Sequence, residues 1–162
     1  EDTHRLAITD SLTRLNNRRY LLDHGENFLA NRNNQPVAAL LLDVDHFKRI
    51  NDHLGHIAGD RVLEALGQLL LERIPQHAMA VRYGGEEFAL LLPRCHINDA
   101  QQRAEELRRE IQALKPRDIA ITVSIGLATS QQNPDISLTQ LINHADTALY
   151  AAKAQGRNKV CA

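Results

Sequence analysis

Gly84-Gly85-Glu86-Glu87-Phe88 is the stretch on which the fold turns. Short apolar segments flank it, Ala78–Tyr83 before and Phe88–Leu92 after. Two strand-like runs joined by a Gly-Gly turn read as a β-hairpin. Glycine tolerates positive φ and lets a ligand approach the main chain closely. Two adjacent carboxylates at a hairpin tip repel one another, and a hard divalent cation resolves that conflict. Mg²⁺ takes carboxylate oxygens together with substrate phosphates. A solvated turn with two surface acids is the plainer alternative.

Working outward, Arg18–Ala30 reads as a first helix after the Asn16-Asn17 break, and Asn31–Pro36 as a polar loop. Val37–Leu42 is a continuous apolar run of buried-strand type that ends at Asp43-Val44-Asp45. Asp45 is placed to cap a short helix bearing Phe47, Ile50 and Leu54, with Gly55 as its stop. A longer helix follows Gly59, with Val62, Leu66, Leu70 and Ile74 on one face. Beyond the hairpin, Asn98 or Asp99 can cap a helix with the stripe Ala100, Ala104, Leu107, Ile111 and Leu114. Ile119, Ile121, Val123, Ile125 and Leu127 alternate as in a strand. Ser137 and Gln140 have capping-box spacing and open a last helix that stops near Gly156. The order from Val37 to Leu127 is βαββαβ with an extra helix. That is a ferredoxin-like α+β arrangement, an antiparallel-centred sheet with helices on one face.

At 162 residues the chain is one domain with room for a real core. Lys and Arg number 19 against 20 for Asp and Glu, so no net charge draws it to a nucleic acid or an anionic membrane. No apolar run reaches the roughly 20 residues of a membrane helix. Cys95 and Cys161 form neither a metal pair nor a disulfide framework, which points to a reducing cytoplasm. His53 and His56 lack a zinc pattern and read as ordinary histidines. With Met79 as the only methionine and Glu1 as the first residue, the chain is expected to be a piece of a longer protein. Residues 1–9 would then end an upstream linker or signalling helix, and residues 10–162 would be the domain proper. The parent's membrane status stays open.

The candidate chemistry collects around the hairpin. Asp43 ends the first strand, which can lie beside the hairpin and bring Asp43 near Glu86. Two such carboxylates can share Mg²⁺ ions that grip a triphosphate and acidify an attacking hydroxyl. The helix starting near His46 turns its free N–H groups toward the same place, which suits phosphate, and Lys48 adds positive charge. Against these stand plain alternatives: Asp45 as a cap only and Lys48 as a solvated lysine. Asn51 and Asp60 flank Gly55-His56…Gly59. An ionised Asp in a closed pocket accepts both donors on guanine's edge, where adenine offers none. Its alternative is a first-turn acid facing the helix dipole. Lys153 and Arg157 either neutralise the last helix's C-terminus or reach phosphates, and spacing leaves both open.

Taken together, these motifs resemble the GGDEF domain of bacterial diguanylate cyclases over Asp10 to Val160. The resemblance runs through Asp10-Ser11-Leu12-Thr13-Arg14-Leu15-Asn16-Asn17-Arg18-Arg19, then Leu42-Asp43-Val44-Asp45-His46-Phe47-Lys48-Arg49-Ile50-Asn51-Asp52 and Gly55-His56…Gly59-Asp60. It continues through Arg82-Tyr83-Gly84-Gly85-Glu86-Glu87-Phe88, Ser124-Ile125-Gly126 and Ala148-Leu149-Tyr150…Lys153…Gly156-Arg157-Asn158. It implies a palm-type sheet related to nucleotidyl cyclase catalytic domains. It also implies a Mg²⁺-dependent condensation of two GTP into cyclic di-GMP, with Mn²⁺ as a substitute metal and a homodimer of half-sites as the working form. By the same resemblance, Asp43, the Val44 carbonyl and Glu86 would hold the metal. Glu86 would help activate the 3′-hydroxyl and Glu87 would support the site. Asn51 and Asp60 would read guanine. Phe47, Lys48, His56, Gly85, Lys153 and Arg157 would contact the rest of the substrate.

The family's Arg-x-x-Asp, which binds product and inhibits, is replaced by Pro75-Gln76-His77-Ala78, so that feedback is in doubt. Two other readings stay in view: a GTP-binding regulatory domain without turnover, and a dimerisation module. No nucleic acid and no membrane contact by this domain are expected.

Overall fold

The structure, a computed structural model, describes residues 8–131 and 133–162. Of the linker expected over residues 1–9, residues 1–7 lie outside the described residues. Ile8 and Thr9 are tied to the domain. The Asn17 N–H donates to the Ile8 carbonyl, and Thr9 bridges Asn16.

Among the described residues six strands form one sheet: β1 Asn16–Asn17, β2 Ala38–Val44, β3 Met79–Arg82, β4 Glu87–Leu92, β5 Val123–Thr129 and β6 Val160–Cys161. Across the sheet they run β1-β3-β4-β2-β5-β6. β2 lies between β4 and β5, antiparallel to both. The two-residue β1 and β6 add in parallel at the edges, beside β3 and β5. Strands that short have no period to read, and the sequence did not reveal them.

The helices are α1 Arg18–Ala30, α2 Phe47–Leu54, α3 His56–Arg73, α4 Ile97–Leu114 and α5 Leu138–Ala154. They cover both faces of the sheet, which corrects the expectation of one. Leu40, Leu42, Phe88 and Leu90 pack under α2, α3 and α4. Ala39, Leu41, Ala89 and Leu91 pack under α1 and α5. The reason lies in β2 and β4, which are apolar at every core position. Such strands must be roofed twice. Each buried leucine contributes about 2 kcal/mol over leaving it in water.

Local signals explain most boundaries. The Asn17 side chain accepts from the Tyr20 N–H at 3.0 Å and starts α1. Ser137 and Gln140 form the expected capping box on α5. Gly55, at φ 91°, ends α2 and immediately precedes α3. Helix α3 therefore starts at His56 and not after Gly59. Helix α4 begins at Ile97 behind His96, with neither Asn98 nor Asp99 as its cap. The alternating run from Ile119 becomes strand only at Val123.

One glycine sets the height of α5. A Cβ on Gly126 would stand 2.1 Å from the Ala145 carbonyl oxygen, so only glycine lets α5 lie this close to β5. That seating brings the end of α5 over the end of β2. Among the described residues no helix is long and apolar enough to cross a membrane.

Candidate functional site

The site is built at the end of β2. Register places Asp43 opposite Glu87 on β4 and opposite Ser124 on β5. The Val44 N–H donates to the Glu86 carbonyl at 3.1 Å. The expected meeting of Asp43 with the hairpin acids is therefore present in the backbone itself. Tyr83 and Gly84 both donate N–H groups to the Glu87 carbonyl, at 2.8 and 3.0 Å, and close the loop between β3 and β4.

The two glycines do not use positive φ, contrary to expectation; among glycines only Gly55 and Gly156 do, among the described residues. Gly85 serves the other purpose. A Cβ there would meet nothing within 4 Å, so the loop offers bare main chain to open space.

Glu86, in the bend just before β4, and Glu87, the first residue of that strand, meet different surroundings. Glu86 lines a cleft beside α2 and α3. Glu87 feels Asp146 of α5. Burial raises the pKa of each above the ordinary glutamate value, and the Asp43 charge raises it further. The Lys153 ammonium opposes both shifts. Its Nζ donates to Asp43 Oδ2 at 2.8 Å across 110 positions of sequence. Lys153 is thus held at the acids and not spent on the helix C-terminus. Arg157 is exposed, and its main-chain N–H donates to the Ala152 carbonyl.

The cleft has a volume of about 410 Å³. It brings together Phe47, Lys48, Asn51, His56, Asp60, Gly85 and Glu86. Asp43, Val44, Glu87, Lys153 and Arg157 are not in its lining. Asn51 is seated by a close approach: a Cβ on Gly59 would stand 2.0 Å from Asn51 Oδ1. Glycine in the first turn of α3 thereby lets α2 and α3 meet and sets Asn51 and Asp60 in one cleft.

Leu63 and Arg82 also line the cleft, and sequence reasoning assigned neither a role. Arg82 Nη2 donates to the Gly85 carbonyl at 2.8 Å. Its Nη1 lies 3.2 and 3.3 Å from the two Asp10 oxygens. Asp10 also accepts from the Thr13 N–H and hydroxyl, at 2.9 and 2.7 Å. Burial opposes its charge, yet the Thr13 bonds and Arg82 together outweigh burial and hold its carboxyl below the usual range. The signal was the i, i+3 spacing of Arg82 and Gly85 across the loop.

Asp45 requires a correction. It does not cap α2: His46, at φ 56°, occupies that position with no side-chain bond to the helix. Asp45 is instead buried at 6% exposure. It accepts from the Thr122 hydroxyl, the Ser124 hydroxyl and the Asn158 N–H, at 2.7, 2.7 and 3.0 Å. The first turn of α2 is left without a side-chain cap, so its N–H groups are available to an anion.

Among the described residues no three His, Cys, Asp or Glu side chains converge into a ready metal cage. The donors at the β2 end are hard oxygens, and Asp43 already attracts a cation, the Lys153 ammonium. That set fits an ion such as Mg²⁺, which takes one or two carboxylates and completes its shell with water and phosphate.

Fold and cleft define an α/β domain with an acidic strand end beside a cleft of nucleotide size. Residues 7–159 match the family described as "Diguanylate cyclase, GGDEF domain". The chain is 40% identical over 159 residues to the diguanylate cyclase VdcA of Vibrio cholerae, covering 95% of this chain and 46% of that protein. The coiled coil and GGDEF domain of DgcB from Caulobacter crescentus, in complex with c-di-GMP, matches with a TM-score of 0.90 at 36% identity. That match covers 99% of this chain and 87% of the DgcB chain. The active GGEEF domain of a diguanylate cyclase from Vibrio cholerae matches at a TM-score of 0.83 and 34% identity, over 90% of this chain and 95% of that one. The chain belongs to the GGDEF domain family of diguanylate cyclases. It spans less than half the length of the curated relative VdcA.

Proposed function

We propose that residues 10–162 form a catalytic domain that condenses two GTP molecules head to tail into cyclic di-GMP and releases two pyrophosphates. The observation that carries this reading is the cleft that holds Asn51 and Asp60 within reach of Gly85 and Glu86. Asp60 accepts from guanine's N1–H and 2-amino group, and Asn51 completes the pairing. Lys48 and the uncapped N-terminus of α2 at Phe47 receive the phosphates. His56 and Gly85 contact the substrate from the two sides of the cleft. Lys153 and Arg157 add positive charge on the far side of the acids.

Asp43, the Val44 carbonyl and Glu86 hold the divalent cation in this reading, Mg²⁺ first and Mn²⁺ as a substitute. When bound, it neutralises phosphate charge and acidifies the attacking hydroxyl. Glu86 takes the proton of the 3′-hydroxyl. Glu87 braces the acids from the α5 side. Each attack forms a 3′-O–Pα bond and breaks the bond from Pα to the bridging oxygen of pyrophosphate. Two attacks close the ring.

One domain holds one GTP, so two domains face each other about a two-fold axis and each supplies half the site. Catalysis is then mostly positioning. The reading makes GTP the substrate, cyclic di-GMP the product and a second copy the partner, in the cytoplasm. The test is incubation of the purified chain with GTP and Mg²⁺, with and without chelator, across a dilution series. Metal-dependent cyclic di-GMP is expected, with a rate per chain that rises with protein concentration. No product at any concentration refutes the activity. A flat series from a verified monomer refutes the half-sites.

A further inference from the structure

Asp45 stands two residues from Asp43 and one from Val44, yet its carboxylate faces away from the cleft into the protein. A buried charge needs its lone pairs answered. Here three neutral donors answer them, from two separate segments. Thr122, just before β5, and Ser124, its second residue, form one segment, and the Asn158 N–H comes from the turn after α5. The Asp45 N–H also donates to the Thr122 carbonyl at 2.9 Å.

The turn after α5 is the unusual partner. Gly156, Arg157 and Asn158 all have positive φ, at 112°, 66° and 48°. For Arg157 this left-handed backbone is disfavoured, because Cβ crowds the carbonyl, while Gly156 and Asn158 are residue types that tolerate it. Such a turn persists only where its surroundings over-determine it. Two anchors do so at Asn158. Its N–H is fixed to Asp45, and its side-chain oxygen accepts from Arg108 Nη1 at 2.8 Å. Just beyond, the Lys159 carbonyl accepts from the Ile125 N–H, and β6 joins the sheet.

One carboxylate therefore links the strand end that carries Asp43 and Val44 to the turn that carries Arg157. We propose that Asp45 is a positioning residue for the triphosphate. It touches no substrate atom and acts by holding the Gly156–Asn158 turn, and with it Arg157, against the acidic end of β2. This rests on the reading of Arg157 as a phosphate contact given above.

The test uses the whole chain in four forms: wild type, Asp45→Asn, Arg157→Ala and the double variant. Asn keeps the shape of the buried group but loses the charge that orders three donors. Asp45→Asn is expected to raise KM for GTP by about tenfold, the scale of one lost charge-assisted bond, with kcat changed less than threefold. Arg157→Ala should do the same, and the double variant should be no worse than Arg157→Ala alone. Amide exchange at Asn158 should quicken in Asp45→Asn while β2 amides stay protected. Additive effects in the double variant, near a hundredfold in KM, overturn the proposal. So does a loss confined to kcat, or an unchanged Asn158 amide. If the wild-type chain turns over no GTP, the proposed activity fails by itself. The Asn158 amide then decides the role of Asp45: loosening confined to residues 156–158 supports it, and no loosening ends it.

Discussion

Replacing Arg82 by Met tests whether the opening turn and the Gly-Gly loop are one mechanical unit. The change keeps much of the side-chain bulk but removes the guanidinium. Two things are lost: the 2.8 Å bond to the Gly85 carbonyl and the paired contacts to Asp10 at 3.2 and 3.3 Å. A charged hydrogen bond contributes about 1.5–3 kcal/mol, and a solvent-exposed ion pair about 0–1 kcal/mol. The two side chains are 21% and 20% exposed, and the Asp10 contacts are long, so the sum sits at the low end. We expect a loss of about 2 kcal/mol, which in a domain of 162 residues lowers Tm by about 4–8 °C. Urea unfolding of wild type, Arg82→Met, Asp10→Asn and the double variant measures it, and the two single changes should couple by about 1 kcal/mol. Turnover should fall mainly in kcat, because the freed loop carries Glu86. The pH dependence has a definite sign. Asp10 has a depressed folded pKa, so its contribution is complete above the unfolded value near 3.9 and fades as pH falls through the folded value. The gap between wild type and Asp10→Asn should thus be constant from neutral to about pH 5 and shrink in stronger acid. A Tm within about 2 °C of wild type, or strict additivity, would show that the Arg82 network is ornamental.

Other consequences follow from the same geometry. Asp43→Asn or Glu86→Gln should abolish cyclisation while melting curves stay close to wild type, a loss of at least several kcal/mol in transition-state stabilisation; near-normal turnover in either variant removes that residue from the metal site. Asp60→Ala should weaken GTP binding and narrow its margin over ATP in a competition titration, since guanine's donors lose their acceptor; an unchanged margin leaves Asp60 as a first-turn acid. Cyclic di-GMP should not inhibit noncompetitively through the usual site, because Pro75 and Ala78 stand where the Arg and Asp would be. Progress curves with added product at saturating GTP check this, and strong residual inhibition would reveal a different site.

How much could be read beforehand depends on the range of the interaction. The apolar run before Asp43, the stop at Gly55, the capping box at Ser137 and the hairpin are local, and each appears within a residue or two of its expected place. The resemblance named Phe47, Lys48, Asn51, His56, Asp60, Gly85 and Glu86 as site residues, and the structure sets them in one cleft. What escaped was tertiary. Asp45 looks like a cap from its neighbours, and only the arrival of Thr122, Ser124 and Asn158 makes it a buried anchor. Lys153 has two plausible local duties, and neither foretells the ion pair it makes with Asp43 once α5 is seated on Gly126. The second layer of helices follows from β2 being apolar on both faces, a pattern that by itself does not say what covers it.

The pairing of β2 has a consequence for synthesis on the ribosome. Ala38 pairs with Leu92 on one side and with Thr129 on the other. The central strand therefore emerges long before either neighbour, and one flank stays open until β5 has been made. During that interval an apolar strand displays an unpaired edge, the state most exposed to association between nascent chains. Closure then comes late, when Asn158 reaches Asp45 and Val160 lies beside Ile125. Nonlocal pairing of this kind slows folding.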